Sequence, residues 1–573
     1  MKLKKIISVI VIALISGSAV WSQTQYDAER FISTDLNGTA RFVGMGGAMS
    51  ALGGDISTMG TNPAGIGLFR RNDVSGTFSL NNTRVEANFG GVTGKDDRSR
   101  LSFDQLGVVF STRMGDELRF VNFGINYRKQ RNFNKRMAMY GDLMGLSLTD
   151  QIAWMGNHEW VDTRNNTYWG NCYNPIPLED YYQMYDDLNA DYYTSPDWED
   201  VSWLTILGIQ GGLIGPDQGT DGNTERGDVP LTDERGNPMT NENGEPLYDY
   251  RHYIGMPGYD AQYKSRETGG VNVVDLNMSF NVNDRIYFGL TVGVYDVNYE
   301  RTSSYTEWGE FDYLPTDFTL TNSYRTEGTG ADLKLGAIFR PIEESAFRFG
   351  LAIHTPTYYK LSDRHSAGLF STVSNMAYTG GTSVATRDYE LLTPWKFNFS
   401  LGHTIGTSVA IGAEYEYADY SSAKLRWDEF EDMYEETSWI EEDLKGVHTF
   451  RLGVEAKLIP EFSLRAGYNY SSAAFDKSAY KFLYSNDTRT DAEYENTLAR
   501  NIFTVGMGYR FGQFYLDAAY QYACQKGEFY PFDSRYSVDA LYDEDTGISP
   551  AALPATKTKT ERDQVMFTFG YRF

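Results

Sequence analysis

Apolar and polar side chains alternate with a period of two in segment after segment of this chain, from Val74 to the final Phe573. Val74, Phe78 and Leu80 alternate with Ser75, Thr77 and Ser79, and Val274, Leu276, Met278 and Phe280 alternate with Asp275, Asn277 and Ser279. The last residues repeat the pattern, with Val565, Phe567, Phe569, Tyr571 and Phe573 on one parity and Gln564, Thr568 and Arg572 on the other. Successive strand residues point to opposite faces, so the pattern predicts strands with one apolar and one polar face. About fourteen such segments can be placed, near 73–81, 101–111, 119–129, 271–281, 285–299, 331–340, 346–355, 394–404, 407–418, 447–457, 461–471, 501–511, 513–523 and 563–573. Each is near the length of a tilted strand crossing a bilayer. In the second segment, Leu106, Val108 and Phe110 compete with Leu101 and Phe103 for the outer face.

The connections restrict the fold further. Short turns at Met114-Gly115-Asp116, Val282-Asn283-Asp284, Pro341-Ile342-Glu343, Ile405-Gly406, Ile459-Pro460 and Gly512 alternate strictly with long connections at 82–100, 130–270, 300–330, 356–393, 419–446, 472–500 and 524–562. An even-stranded antiparallel barrel with tight periplasmic turns and long outer loops has this layout, whereas a soluble sandwich has no reason to keep every long loop at one end. With both termini periplasmic, Tyr415, Tyr417, Tyr468, Tyr470, Tyr520 and Tyr522 fall at the outer ends of the strands, and Phe511, Phe514, Tyr571 and Phe573 at the periplasmic ends. These are the two aromatic girdles of a membrane barrel. The expected fold is therefore an all-β membrane protein, a transmembrane barrel of about fourteen antiparallel strands. Its terminal aromatic strand is suited to recognition by barrel-assembly machinery.

The first residues read as an export address. Lys2, Lys4 and Lys5 precede a short apolar run, Ile6 to Ile15, and small residues lead to a cut after Ser22. That run is too short to span a bilayer, so 1–22 is read as a signal peptide. No Cys near the cut suggests a lipid anchor. The 42 Tyr, 33 Phe and 56 Gly suit aromatic strands and tight turns, and the mean hydropathy of −0.45 fits strands that average their two faces. A net charge of −26 opposes nucleic acid as a partner. Cys172 and Cys524 could form one bridge or two free thiols.

Residues 23–72 lack strand alternation and are rich in small residues, reading Ala40-Arg41, Gly44-Met45-Gly46-Gly47-Ala48, Gly53-Gly54-Asp55 and Asn62-Pro63-Ala64-Gly65. Such a segment can pack closely, and a barrel of about fourteen strands leaves a lumen for it to fill. In order and spacing these residues resemble the N-terminal signature of the FadL/TodX (OmpP1) family of outer-membrane long-chain fatty acid and hydrophobic compound transporters. The segments Gly330–Ala337, Leu464–Tyr468 and Val505–Phe511 are similar to later family segments. The resemblance implies a fourteen-stranded barrel, 73–573, plugged by an N-terminal hatch, 23–72, that contains Gly44, Gly46, Gly47, Asn62, Pro63 and Ala64. It also implies uptake of hydrophobic compounds without an energy source and exit through a gap beside a kinked third strand, near Asn62-Pro63-Ala64. Gly124 or Asn126 could permit the kink, or Gly124 could serve close hatch packing.

The connection 130–270 is too long for a plain loop. Its apolar residues, among them Trp154, Met155, Trp203, Leu204 and Leu207, must pack on a ligand or on each other. Parity turns Lys334, Arg348, Lys396, Arg451, Arg465, Glu414, Glu416, Glu455 and Asp517 toward the lumen. There Arg348, Arg451 or Arg465 could pair with a substrate carboxylate, or hold the hatch instead. Asp217, Asp221, Asn223, Glu225 and Asp228 only partly match a calcium loop, so a solvated acidic loop is expected and no metal. The six His residues show no metal-ligand spacing and only His354 has lumen parity, so neither catalytic residues nor a cofactor are expected. The sequence thus predicts a monomeric channel for passive uptake of small hydrophobic molecules such as long-chain fatty acids, in contact with outer-membrane lipid. The alternative is a surface barrel whose acidic, Tyr-rich loops contact a partner.

Overall fold

A computed structural model describes residues 23–573 apart from 164–167, 174, 217–228, 231–247, 250–252, 312–313, 429–430 and 536–551. The signal peptide and the calcium-like stretch 217–228 therefore lie outside the described residues, as does the side chain of Cys172. Fourteen strands form the wall: β1 Asp73–Phe89, β2 Val92–Arg113, β3 Leu118–Asn132, β4 Gly258–Val282, β5 Ile286–Phe311, β6 Leu314–Phe339, β7 Arg348–His354, β8 Lys396–Ile405, β9 Val409–Asp419, β10 Gly446–Ile459, β11 Phe462–Ser471, β12 Tyr494–Phe511, β13 Phe514–Tyr530 and β14 Thr556–Arg572. Each pairs antiparallel with the next, and β14 returns to β1 from Asp73↔Arg572 to Asn88↔Lys557, closing the barrel. No described helix is long and apolar enough to cross a membrane.

The alternation becomes two faces of one wall. Phe78, Leu80, Leu276, Leu351, Phe399, Leu452, Val505 and Phe569 point outward and are exposed, while Ser75, Thr77, Asp275, Asn277, Asn398 and Thr568 are buried inward. At the periplasmic rim, Tyr509, Phe511, Phe514, Tyr571 and Phe573 stack in sequence around the barrel. The ambiguity in the second strand is resolved by a bulge. Asp104 is inserted between Gln105↔Thr77 and Phe103↔Phe78, which reverses parity, so that Leu101, Phe103, Leu106 and Phe110 all face outward.

Two connections expected as loops are strand. β1 and β2 continue to a turn at Gly90-Gly91, both at positive φ, and β5 and β6 run 26 residues each to Phe311 and Leu314. They extend the wall beyond its apolar outward rows, joined by the shorter strands Lys135–Asp142, Tyr358–Val373 and Ala385–Leu392. After helices α1 Gln25–Ile32 and α2 Ala40–Gly44 of the N-terminal segment, the long 130–270 connection packs helices α3 Leu148–Asn157, α4 Leu178–Asp186 and α5 Trp203–Gln210 on this extension. Ser147 and Asp150 form a capping box at the start of α3, and the Glu307 carboxylate from β5 accepts from Leu148 N at 3.2 Å. A later helix, α6 Tyr434–Asp443, packs in a separate apolar cluster with Tyr26 and Phe31 of the N-terminal segment.

Candidate functional site

The lumen is filled from the N-terminal side of the chain. Gln25–Ile32 forms a helix near the mouth, Ala40–Gly44 a second short helix, and Ile56–Gly60 and Pro63–Leu68 two 3-10 turns. These residues are almost all buried. What lets them lie against the wall is a set of inward glycines. A Cβ on Gly467 would stand 2.2 Å from Gly46 N, one on Gly453 2.3 Å from Met45 O, and one on Gly412 2.0 Å from Ala48 O. Gly46 itself adopts φ +61° where it meets the backbone of Tyr468, a conformation that favours glycine. Backbone thus contacts backbone where any side chain would hold plug and wall apart. The same logic places Asn62-Pro63-Ala64. Asn62 accepts from Ala64 N at 3.1 Å and donates to Ala337 O, while Pro63 O accepts from Ser279 Oγ at 2.8 Å. Gly289 and Gly336 on the wall leave room for all three.

Charge fixes the plug from below. Arg41 donates to Glu455 at 2.9 Å and to Gly54 O, and Glu455 also accepts from Arg465 at 2.7 Å. A cavity of about 130 Å³ lies on the outer side of the plug, lined among others by Arg128, Lys334, His354, Lys396, Glu416 and Arg451. One of about 170 Å³ lies on the periplasmic side. Above, residues 482–493 of the β11–β12 connection fold inward, and 483–493 are buried. Arg489 pairs there with Asp27 of the N-terminal helix at 2.5 Å and with Asp491 at 2.6 Å. Nothing in the alternation pattern marks this inward loop; its dense run of Asp, Arg and Thr reads as solvated until the buried partners are seen.

Among the described residues, the wall beside the plug is laddered except between β2 and β3. β2 and β3 pair from Arg113↔Phe120 to Gln105↔Arg128 and no further. Beyond that point β2 continues with β1, and β3 with β4. The edges part where each strand carries a bulge, Asp104 in β2 and Gln130 in β3. Side chains replace the missing ladder: Lys129 Nζ donates to Ser102 Oγ at 2.7 Å, and Asn37 of the plug donates to Asp104 Oδ1 and to Lys129 O at 3.1 Å each.

This geometry relocates several expected residues. Gly124 and Asn126 sit in unbroken ladder on both sides, so the distortion of the third strand is not theirs but that of Gln130. Gly124 instead makes room for Met59, since a Cβ there would lie 2.0 Å from Met59 Cε. Asn62-Pro63-Ala64 packs on β4, β5 and β6, while Asn37, Ile56, Met59, Gly60, Ile66 and Phe69 of the plug face β2 and β3. Met155, Trp203, Leu204 and Leu207 are buried in the outer loop core, and half-buried Trp154 stacks on His158. The expected capture groove is therefore closed at these residues, because the loop's apolar side chains pack on each other and on strand residues such as Leu320 and Leu369. Arg451 pairs with Glu414 and Glu416, and Arg465 with Glu455 and Asp517, so carboxylates of the wall already hold both. Arg348 donates to Leu52 O at 2.9 Å and so holds the plug. Lys396, by contrast, lines the outer cavity and makes no ion pair among the described residues.

A closed barrel with an aromatic rim and a lumen occupied by its own N-terminal segment defines an outer-membrane transport barrel. Residues 256–534 match the family described as outer membrane protein transport protein (OMPP1/FadL/TodX). That match lies in the wall of an outer-membrane β-barrel of transport type. Similar solved structures include a Pseudomonas aeruginosa FadL homologue, 12% identical over 95% of this chain and 99% of that one with TM-score 0.48. The P. putida toluene transporter TodX is 11% identical over 94% and 99% with TM-score 0.43, and the Ralstonia pickettii toluene transporter TbuX 11% identical over 94% and 99% with TM-score 0.41. No curated protein matches the chain.

Proposed function

We propose that this channel takes up small hydrophobic molecules passively, long-chain fatty acids among them, and releases them sideways between β2 and β3. The observation that carries the reading is the interrupted ladder above Gln105↔Arg128, bridged by the plug residue Asn37 rather than by wall. A molecule of low water solubility gains by leaving at that height, since it passes from the lumen to lipid without crossing the periplasmic face of the plug. The cavities beside the plug, about 130 and 170 Å³, are smaller than the 300 Å³ or more typical of ligand pockets. Passage therefore needs movement of the N-terminal helix and the inward loop joined to it by Arg489. Lys396, free of an ion pair among the described residues, is then the cation best placed to meet a carboxylate. The outer loop core holding Trp203 and Leu207 serves a ligand only when it opens.

Uptake of labelled oleate by cells whose own fatty acid channel has been deleted tests the substrate. Expression of the full chain should restore uptake that persists when the cells are de-energised, and Lys396→Gln should weaken it by about tenfold, roughly 1.4 kcal/mol. Absence of restoration, with toluene or another uncharged hydrocarbon entering instead, would remove fatty acids as substrate and leave the channel reading in place.

A further inference from the structure

The outer side of the same wall carries a second charged feature. Arg98 and Arg100 of β2 reach across the parted edges, Arg98 to Glu267 O at 2.9 Å and Arg100 to Asn134 Oδ1 at 2.7 Å. Beside them Arg136 and Arg266 stand directly opposite each other on paired strands, both exposed, with exposed Lys264 one outward position along. Like charges in that cross-strand position repel. None of these five cations makes an ion pair among the described residues, in a chain whose net charge is −26. Arg98 is held below its ordinary pKa, first by burial and then by Arg266, Arg100 and Arg136. The height of the patch is set by Leu101, which faces outward, is 73% exposed, and directly follows Arg100 at the upper end of the lipid-facing row of β2. The patch therefore begins where the lipid-facing row of β2 ends.

We propose that Arg98, Arg100, Arg136, Lys264 and Arg266 form a binding surface for a phosphorylated glycolipid headgroup of the outer leaflet. Phosphate is the fitting chemistry because it brings up to two charges and several acceptor oxygens to clustered guanidinium groups, which bind it bidentately. Exposed Thr302 and Ser323 and half-buried Ser304 border the same groove, which Asp96 also lines, and supply hydroxyls for sugar oxygens. Bound there, a glycolipid would neutralise the Arg136–Arg266 repulsion and stand guard beside the gap. The inference is separate from fatty acid uptake and survives if that reading fails.

The test uses purified full-length protein and native mass spectrometry with three probes: bisphosphorylated lipid A, dephosphorylated lipid A and sodium oleate. Bisphosphorylated lipid A should bind about tenfold tighter than the dephosphorylated form. Binding should fall by about tenfold in R98Q/R100Q/R136Q/R266Q, fall less in the matching Arg→Lys variant, which keeps charge but not the bidentate fork, and stay within about threefold in R325Q/K526Q, which changes cations elsewhere. Equal binding of the two lipid A forms by the parent overturns the proposal even if the Gln variant fails to assemble. Unchanged binding by an assembled Gln variant overturns it as well. So does stoichiometric displacement of lipid A by oleate, which would assign these cations to the transported ligand's own carboxylate.

Discussion

At the scale of single residues, the contacts that matter most are those where nothing larger fits. Gly467 and Gly412 each place the wall backbone against the plug backbone, and Gly467→Val should push the plug off β11. In planar bilayers that variant should show ion conductance well above the parent, whereas equal conductance would mean that the plug accommodates the change. The glycines were visible in the sequence as Gly44-Met45-Gly46-Gly47 and Leu464–Tyr468, but only the structure pairs the two sets. The lumen arginines show the opposite case. Parity alone turned Arg451 and Arg465 inward, yet the carboxylates that occupy them come from neighbouring strands whose register parity does not give. Outside the membrane, burial pushes the carboxyls of Glu436 and Asp487 up to about 8 and about 7. In the folded loops each keeps its proton where the unfolded chain has lost it. Stability therefore falls as pH rises from the ordinary carboxyl range to about 8 and is level above that. Glu436→Gln should remove most of its share of this slope, so that the variant gains about 1 kcal/mol or more at pH 9 relative to pH 5. Limited proteolysis of the outer loops at the two pH values measures it, and parallel losses in parent and variant would contradict it.

At the scale of elements, all fourteen strands were legible because a barrel wall must alternate for its whole membrane-crossing length. Their ends were not. β5 and β6 run on into a region where the outer face is polar as well, so the signal fades while the ladder continues. The bulges at Asp104 and Gln130 were equally hidden, though the competing parities around Leu101 and Leu106 were the trace of the first. The apolar residues of the 130–270 connection were recognised as needing a partner, and the partner is other loop residues and the extended wall. Trp203→Ala should thus act on the loop rather than on a ligand site. It removes a buried aromatic, a change of about 3–5 kcal/mol, and should make the outer loops protease-sensitive while the barrel keeps its heat-modifiable migration. An intact, protease-resistant loop with weakened oleate binding would instead favour the capture groove.

At the scale of the whole molecule, two designs meet in one barrel. The wall is nearly continuous and its lumen is plugged at two levels, by the N-terminal segment below and by the inward 482–493 loop above, with Arg489 and Asp27 joining the two. The only unladdered stretch of described wall at lumen height lies between β2 and β3, bridged by Lys129, Ser102 and Asn37. A plugged tube with one side seam is a poor pore for ions and a sufficient one for a molecule that prefers lipid. The most direct measurement closes the seam. With Cys172 and Cys524 replaced by Ser, S102C/K129C can be bridged across the parted edges by a short bifunctional thiol reagent that is cleavable by reductant. Uptake of labelled oleate should drop to the level of cells without the channel on bridging and return on cleavage. Unchanged uptake through a fully bridged seam, at the same amount of assembled barrel, would contradict lateral release and send the path through the plug instead.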